Sequence, residues 1–161
     1  MRSNGRRLPS PSHRLAACAL AGIVAFAHLG AAHAGSADAA LAATMARSAR
    51  DAMKKGQHQL AAQMFREALK LDPQESGYLY AIAQAEEAAA RPLIAMALYR
   101  RFLTEAGKHR AAGKAKASLS ALLDAHGRVC LGGGRLPDAQ RAFEEALKLE
   151  PNAPRHLLGL A

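Results

Sequence analysis

The chain is expected to be all-α, a stack of antiparallel helix-turn-helix hairpins, on three observations. The phrase Phe65-Arg66-Glu67-Ala68-Leu69-Lys70-Leu71-Asp72-Pro73 returns 78 residues later as Phe143-Glu144-Glu145-Ala146-Leu147-Lys148-Leu149-Glu150-Pro151. Apolar residues recur at three- and four-residue intervals, as one buried helical face requires. Half of the 161 residues are hydrophobic but only 4% are aromatic and none is Trp; that alanine-rich balance, with few β-branched residues, suits close-packed helices and argues against a sheet. The length allows one domain with a core of its own.

Residues 1–34 read as a signal peptide. Arg2, Arg6, Arg7 and Arg14 form a basic start, and Leu15 to Leu29 is an apolar run without charge. Ala32-His33-Ala34 then offers small residues for cleavage before Gly35. The apolar run is shorter than the roughly 20 residues of a spanning helix, so a membrane is a partner only if this leader is retained. Leu15-Ala16-Ala17-Cys18 precedes the apolar core instead of following it, which argues against lipidation, and Arg6-Arg7 lacks the rest of a twin-Arg motif. The expected location is therefore periplasmic, after secretion across the inner membrane.

Removing the leader takes four of the 22 Lys and Arg and none of the 13 Asp and Glu, so the net charge falls from +9 to +5. That is not the balance of a dedicated nucleic-acid binder. Cys18 leaves with it, and Cys130 remains as a lone thiol expected in the core.

The elements follow in order. Residues 35–41 are a frayed start. Leu41, Met45, Ala49, Ala52 and Met53 make the buried face of a first helix ended by Gly56, a left-handed cap. The second helix starts near His58, turns Leu60, Ala61, Met64, Phe65, Ala68 and Leu69 inward, and stops at Asp72-Pro73. Tyr78, Leu79, Ile82, Ala83 and Glu86 carry the third helix to a loose turn at Ala90-Arg91. Pro92 opens the fourth, which holds Ala95, Leu98, Tyr99 and Phe102 and ends near Gly107. From Ala61, Phe65, Ala68 and Pro73 to Ala95, Tyr99, Phe102 and Gly107 the offset is 34 throughout.

A 34-residue helix-turn-helix with small residues at positions 8, 20 and 27 and an aromatic at 24 resembles the tetratricopeptide repeat (TPR). Repeats start at Ala42, Ser76 and Ser120. Position 20 is then Ala61, Ala95 and Ala139, and position 24 is Phe65, Tyr99 and Phe143. Position 27 is Ala68, Phe102 and Ala146, and Gly134 stands at position 15, where Gly56 stands in the first repeat. The units run 42–75, 76–107 and 120–153, with a basic insert at 108–119 extending the next helix and a short capping helix at 154–161, where Leu157, Leu158 and Leu160 offer a face for capping or self-association. Departures are Met45, Leu79 and Leu123 at position 4, where the pattern often has Trp, Ala52, Glu86 and Cys130 at position 11, where it often has Tyr, and Phe102 at position 27 of the middle unit, where the pattern has a small residue.

No catalytic constellation stands out. His58, His109, His126 and His156 have no metal-binding i, i+4 spacing, and the pairs Glu86-Glu87 and Glu144-Glu145 diverge on their helices. Gly132-Gly133-Gly134 lacks the strand and lysine of a phosphate loop. The reading is of no enzyme, metal or cofactor.

The resemblance implies a right-handed superhelix whose concave groove is lined by the first helix of each repeat. Repeat positions 2, 5, 9, 12 and 13 place Arg50, Met53, Lys54, Tyr80, Gln84, Glu87, Asp124, Arg128 and Leu131 there, a mixture that suits a segment of another protein. The chaperone-tail clamp known in the family is excluded, since Ala46, Arg50, Ala81, Ala121 and Ala125 occupy its places. The resemblance implies an adaptor or scaffold that binds another protein, and the signal-peptide pattern adds the expectation that it is exported to the bacterial cell envelope. The alternative is an anionic envelope polymer held by Lys108, Arg110, Lys114 and Lys116. Nucleic acid is disfavoured, because no aromatic platform stands beside this basic run.

Overall fold

A computed structural model describes residues 35–151. The expected signal peptide and capping helix lie outside the described residues. Six helices follow: α1 over 35–54, α2 His58–Leu71, α3 Gly77–Ala88, α4 Pro92–Glu105, α5 Ala112–Gly132 and α6 Leu136–Leu149. No strand occurs among the described residues, and those from Ala39 onward belong to one unit. Consecutive helices pack on one another: α2 on α3, α3 on α4, α4 on α5 and α5 on α6. The chain is helical from residue 35, not frayed over 35–41. Asp38-Ala39-Ala40-Leu41 combines strong helix formers with an acid that favours the positive end of the helix dipole.

Within each hairpin the turn is the same. At position 15 the backbone enters the left-handed region, with φ of +74° at Gly56, +57° at Ala90 and +72° at Gly134. Across each turn the N–H at position 16 donates to the carbonyl at position 11: Gln57 to Ala52, Arg91 to Glu86 and Arg135 to Cys130, each at 2.9 Å. The position-15 N–H donates to position 12, from Gly56 to Met53, Ala90 to Glu87 and Gly134 to Leu131, at 3.0 Å each. These two bonds satisfy carbonyls that a helix end leaves over. The middle repeat therefore keeps the turn without glycine.

The hairpins stack by small-into-large packing. Ala42, Ala46, Ala49 and Ala52 of α1 share a core with Ala61, Ala62, Phe65 and Ala68 of α2 and with Tyr78, Ile82 and Ala85 of α3. Leu60, expected inward, is exposed, and Ala62 takes a buried place. A second core joins Leu79, Ala83, Tyr99 and Phe102 to Ala115, Leu119 and Leu123 of α5. Each large side chain fully buried there contributes roughly 1.5–3 kcal/mol, while alanine faces let the helices approach.

Helix α5 has 21 residues, against 14 in α4 and α6. Its first half, Ala112 to Leu123, packs on the second repeat, and its second half pairs with α6, where Cys130, Ala139 and Phe143 form a small core of their own. In α3 the residues facing the previous repeat are Tyr78, Ile82 and Ala85, at positions 3, 7 and 10. In α5 position 10 is Val129, which is exposed. The extra residues before Ser120 have moved the stacking contact upstream, so the end of the third hairpin projects past that contact.

One charged cluster sits inside the stack. Glu86 of α3 is fully buried and meets Arg66 of α2 on one side and Arg91, 2.9 Å from Oε2, on the other. The Arg91 contact is an ion pair without aligned hydrogen-bond geometry. At the equivalent position of the second repeat, Arg100 instead makes a two-point contact with Glu145 of α6, at 2.6 and 2.7 Å. That bond raises the Arg100 pKa, against the lowering effect of its partial burial.

Candidate functional site

Because α3 lies between α2 and α4 while the residues before α5 fold back toward its N-terminus, a cleft of about 580 Å³ opens between α1, α3 and the start of α5. Arg50 enters it from α1 and Phe65 from α2. Gly77, Tyr78, Tyr80, Ala81 and Gln84 of α3 form the floor, with Glu75 just before it. The far wall is His109, Arg110, Ala111 and Lys114.

The floor is stiffened by a run of rings. Tyr80 lies 6.0 Å from Tyr99 and 5.6 Å from Phe102 between centroids, and Phe102 meets His109 edge-on at 5.4 Å; such arrangements are favourable beyond their burial. Tyr99 donates its O–H to Glu87 Oε2 at 2.7 Å. Burial first, and then this bond, push the Tyr99 pKa far above the ordinary phenol value of 10.0. Tyr80 is raised by burial and by Glu87, and Tyr78 by burial, Asp72 and Glu75 against a lowering contribution from Arg50. All three remain neutral phenols near pH 7, able to donate a hydrogen bond.

His109 has a fixed orientation. Its Nδ1 accepts the backbone N–H of Ala111 at 3.1 Å, which leaves the ring proton of the neutral imidazole on Nε2. Nε2 in turn borders the space that Gly77 leaves: a Cβ there would sit 3.6 Å from it. The Glu75 carboxylate accepts the Gly77 N–H at 2.9 Å, so the one acid lining the cleft is turned to the start of α3. Arg50, Arg110 and Lys114 are exposed around it. The cleft thus combines a cationic rim, neutral hydroxyl and amide groups, and an aromatic floor.

Of the residues singled out by sequence, Arg50, Tyr80 and Gln84 from the groove set and Arg110 and Lys114 from the basic strip line this one cleft. Met53 packs partly into the first core, Lys54 pairs with Asp51 at 3.1 Å, and Glu87 is occupied by Tyr99. Arg128 and Leu131 are exposed on the second half of α5, and Lys108 and Lys116 are exposed beside the cleft without lining it. Asp124 is not a groove residue. It is 1% exposed on α5, on a buried stripe of Ser120, Asp124, Gly127 and Cys130 that matches Ala42, Ala46, Ala49 and Ala52 of α1, so position 5 faces inward in both repeats. Glu75, Tyr78 and His109 join the site without having been expected there. The alanines at 111, 112 and 115 leading to Leu119 continue one helical stripe upstream of Ser120, a pattern that places the basic insert against the second repeat.

Among the described residues no three His, Cys, Asp or Glu side chains converge as a metal site would require. No described helix is long and apolar enough to cross a membrane.

No family model matches the sequence, and no curated protein matches it. Solved structures do match. The TPR domain of Arabidopsis OM64 has 20% identity and a TM-score of 0.51, over 76% of this chain and 93% of that one. The first TPR of Spaghetti (RPAP3), bound to the HSP90 peptide SRMEEVD, has 18% identity and a TM-score of 0.48, over 74% of this chain and 86% of that one. The helix order, the common turn and the similarity to the OM64 domain show the TPR fold.

Proposed function

Starting from a TPR fold, we propose that this chain is an exported adaptor of the cell envelope that holds an extended acidic segment of another protein in the cleft between α1, α3 and the start of α5. The observation that carries this reading is the meeting of Arg50, Tyr80 and Gln84 with Arg110 and Lys114 around one cavity. A cationic rim attracts a carboxylate-bearing chain, and the Tyr80 floor supplies contact that a simple counter-ion cannot exploit. The signal-peptide pattern supports export, and mass spectrometry of periplasmic protein is expected to show Gly35 as the first residue.

A photo-crosslinking amino acid placed at Gln84, inside the cleft, is expected to trap a protein in envelope preparations. The same group at Gln63, outside it, is expected to trap none. Tyr80→Ala and Arg110→Glu with Lys114→Glu should each abolish the adduct. Binding of an anionic envelope polymer remains the second reading, favoured by the basic wall. If the charge variant removes acidic-polysaccharide binding while Tyr80→Ala leaves it intact, and Gln84 yields no protein adduct, the polymer reading replaces the adaptor.

A further inference from the structure

Six of the seven large hydrophobic side chains exposed among the described residues are Leu60, Leu93, Ile94, Val129, Leu131 and Leu136, between 42 and 66% accessible. All lie beside the three turns within the hairpins. Successive helices run antiparallel, so these turns line up along one edge of the stack; Gly56 to Leu60 and Ala88 to Ala90 already border a common depression. The seventh, Leu41, is in the first half of α1, away from these turns.

The charges on this edge are net positive. Lys55, Arg128 and Arg135 are exposed beside the aliphatic row. Three of the neighbouring acids are paired with cations, Asp51 with Lys54, Asp138 with Arg141 and Glu86 with Arg66 and Arg91, and Glu87, held by the neutral Tyr99 hydroxyl, is outnumbered by the three exposed cations. We infer that this edge is a membrane-contacting surface that rests on anionic lipid, with the aliphatic tips entering the headgroup layer and the cations meeting lipid phosphates. A lipid surface fits better than a second copy of the chain for two reasons. The apolar groups stand on separate tips roughly a helix diameter apart, about 10 Å, which a yielding headgroup layer accepts and a close-packed protein interface does not. A second copy would also bring like charge against the same basic row. Helix α6 ends at Leu149, at the opposite edge. The cleft remains free for its own ligand.

The chain has no tryptophan, so a single introduced one reports its own surroundings. In the full-length protein, Leu93→Trp and Leu136→Trp on this edge are compared with Gln74→Trp on the opposite edge. With vesicles of phosphatidylglycerol and phosphatidylcholine, emission from the two edge variants is expected to shift to shorter wavelength and to be quenched by brominated acyl chains, while Gln74→Trp stays unchanged. Adding Lys55→Gln and Arg135→Gln to Leu136→Trp should weaken the apparent vesicle affinity about fivefold per cation, the equivalent of about 1 kcal/mol each. Equal quenching at all three positions, as adsorption through the leader alone would give, overturns the proposal. So does an absence of quenching at the two edge positions. A shift that appears with rising protein concentration and no vesicles overturns it in favour of self-association.

Discussion

Gly127 of α5 lies against the ring of Phe143 in α6, so close that a Cβ at residue 127 would stand 2.8 Å from both Cε1 and Cζ. Phe143 is itself 1% exposed and has no room to retreat. Gly127→Ala should therefore destabilise the protein by about 1–2 kcal/mol, the overpacking cost outweighing the roughly 1 kcal/mol that alanine gains in a helix. Gly113→Ala, in open space on the same helix, should be neutral or stabilising. Urea unfolding of the two variants checks the contrast.

Ala90 occupies, at φ +57°, the turn position that Gly56 and Gly134 hold in the other repeats. A side chain costs roughly 1–2 kcal/mol in that region, and glycine returns part of the gain through the entropy of the unfolded chain. Ala90→Gly is expected to stabilise by about 0.5 kcal/mol, while Gly56→Ala and Gly134→Ala each destabilise by about 1 kcal/mol. A raised urea midpoint with an unchanged slope is the sign to look for in Ala90→Gly.

The Glu86 ion cluster predicts an asymmetry. Arg66 and Arg91 are about two-fifths exposed and Glu86 not at all. Replacing both arginines by Met leaves a buried carboxylate without its counter-charges, which should cost about 3–5 kcal/mol. Glu86→Met instead releases two arginines that reach water, and the loss should stay below about 1.5 kcal/mol. Equal losses from the two changes would mean the cluster acts only by filling space.

How much of this was legible in the sequence follows from what a period can carry. The turn at position 15, the aromatic at 24 and the small residues at 20 recur at fixed offsets, and the structure has their turns and packing at those places. Asp124 differs from the groove expectation because position 5 faces inward, as the fully buried Ala46 shows in the first repeat, and a charged residue type there reads as surface when the packing around it is unseen. Leu60 was misplaced because periodicity alone does not distinguish the inward rows of a short amphipathic helix when alanine fills half of them. The meeting of Tyr80 with His109 in one cleft was invisible, since it depends on the path of residues 106–111 between helices and not on any repeat, whereas the alanine stripe of α5 signals only that the helix bearing Lys114 packs on the second repeat.

Tyr99 makes the fold sensitive to alkali. Its folded-state pKa is raised above the unfolded value of 10.0 by burial and by Glu87. The folded state therefore holds its proton where the unfolded state gives it up. The sign follows: this contribution is fully present below about pH 10 and is lost as pH rises above it. Absorbance at the tyrosinate band is expected to show Tyr99 ionising only together with loss of helix, and Tyr99→Phe should move the alkaline unfolding transition upward.

Arg66 and Arg100 stand at the same repeat position, yet Arg66 meets Glu86 of the next unit and Arg100 meets Glu145, because the third unit offers Cys130 where the second has its buried acid. The units consequently obey a rule of succession. A second copy of 76–107 grafted after the first would place Arg100 before another Glu86, a permitted neighbour. Moving 120–153 ahead of 76–107 would set Glu144 where Arg66 stands, carboxylate against buried carboxylate. The array can be lengthened by reiterating its middle unit, but its units cannot be transposed.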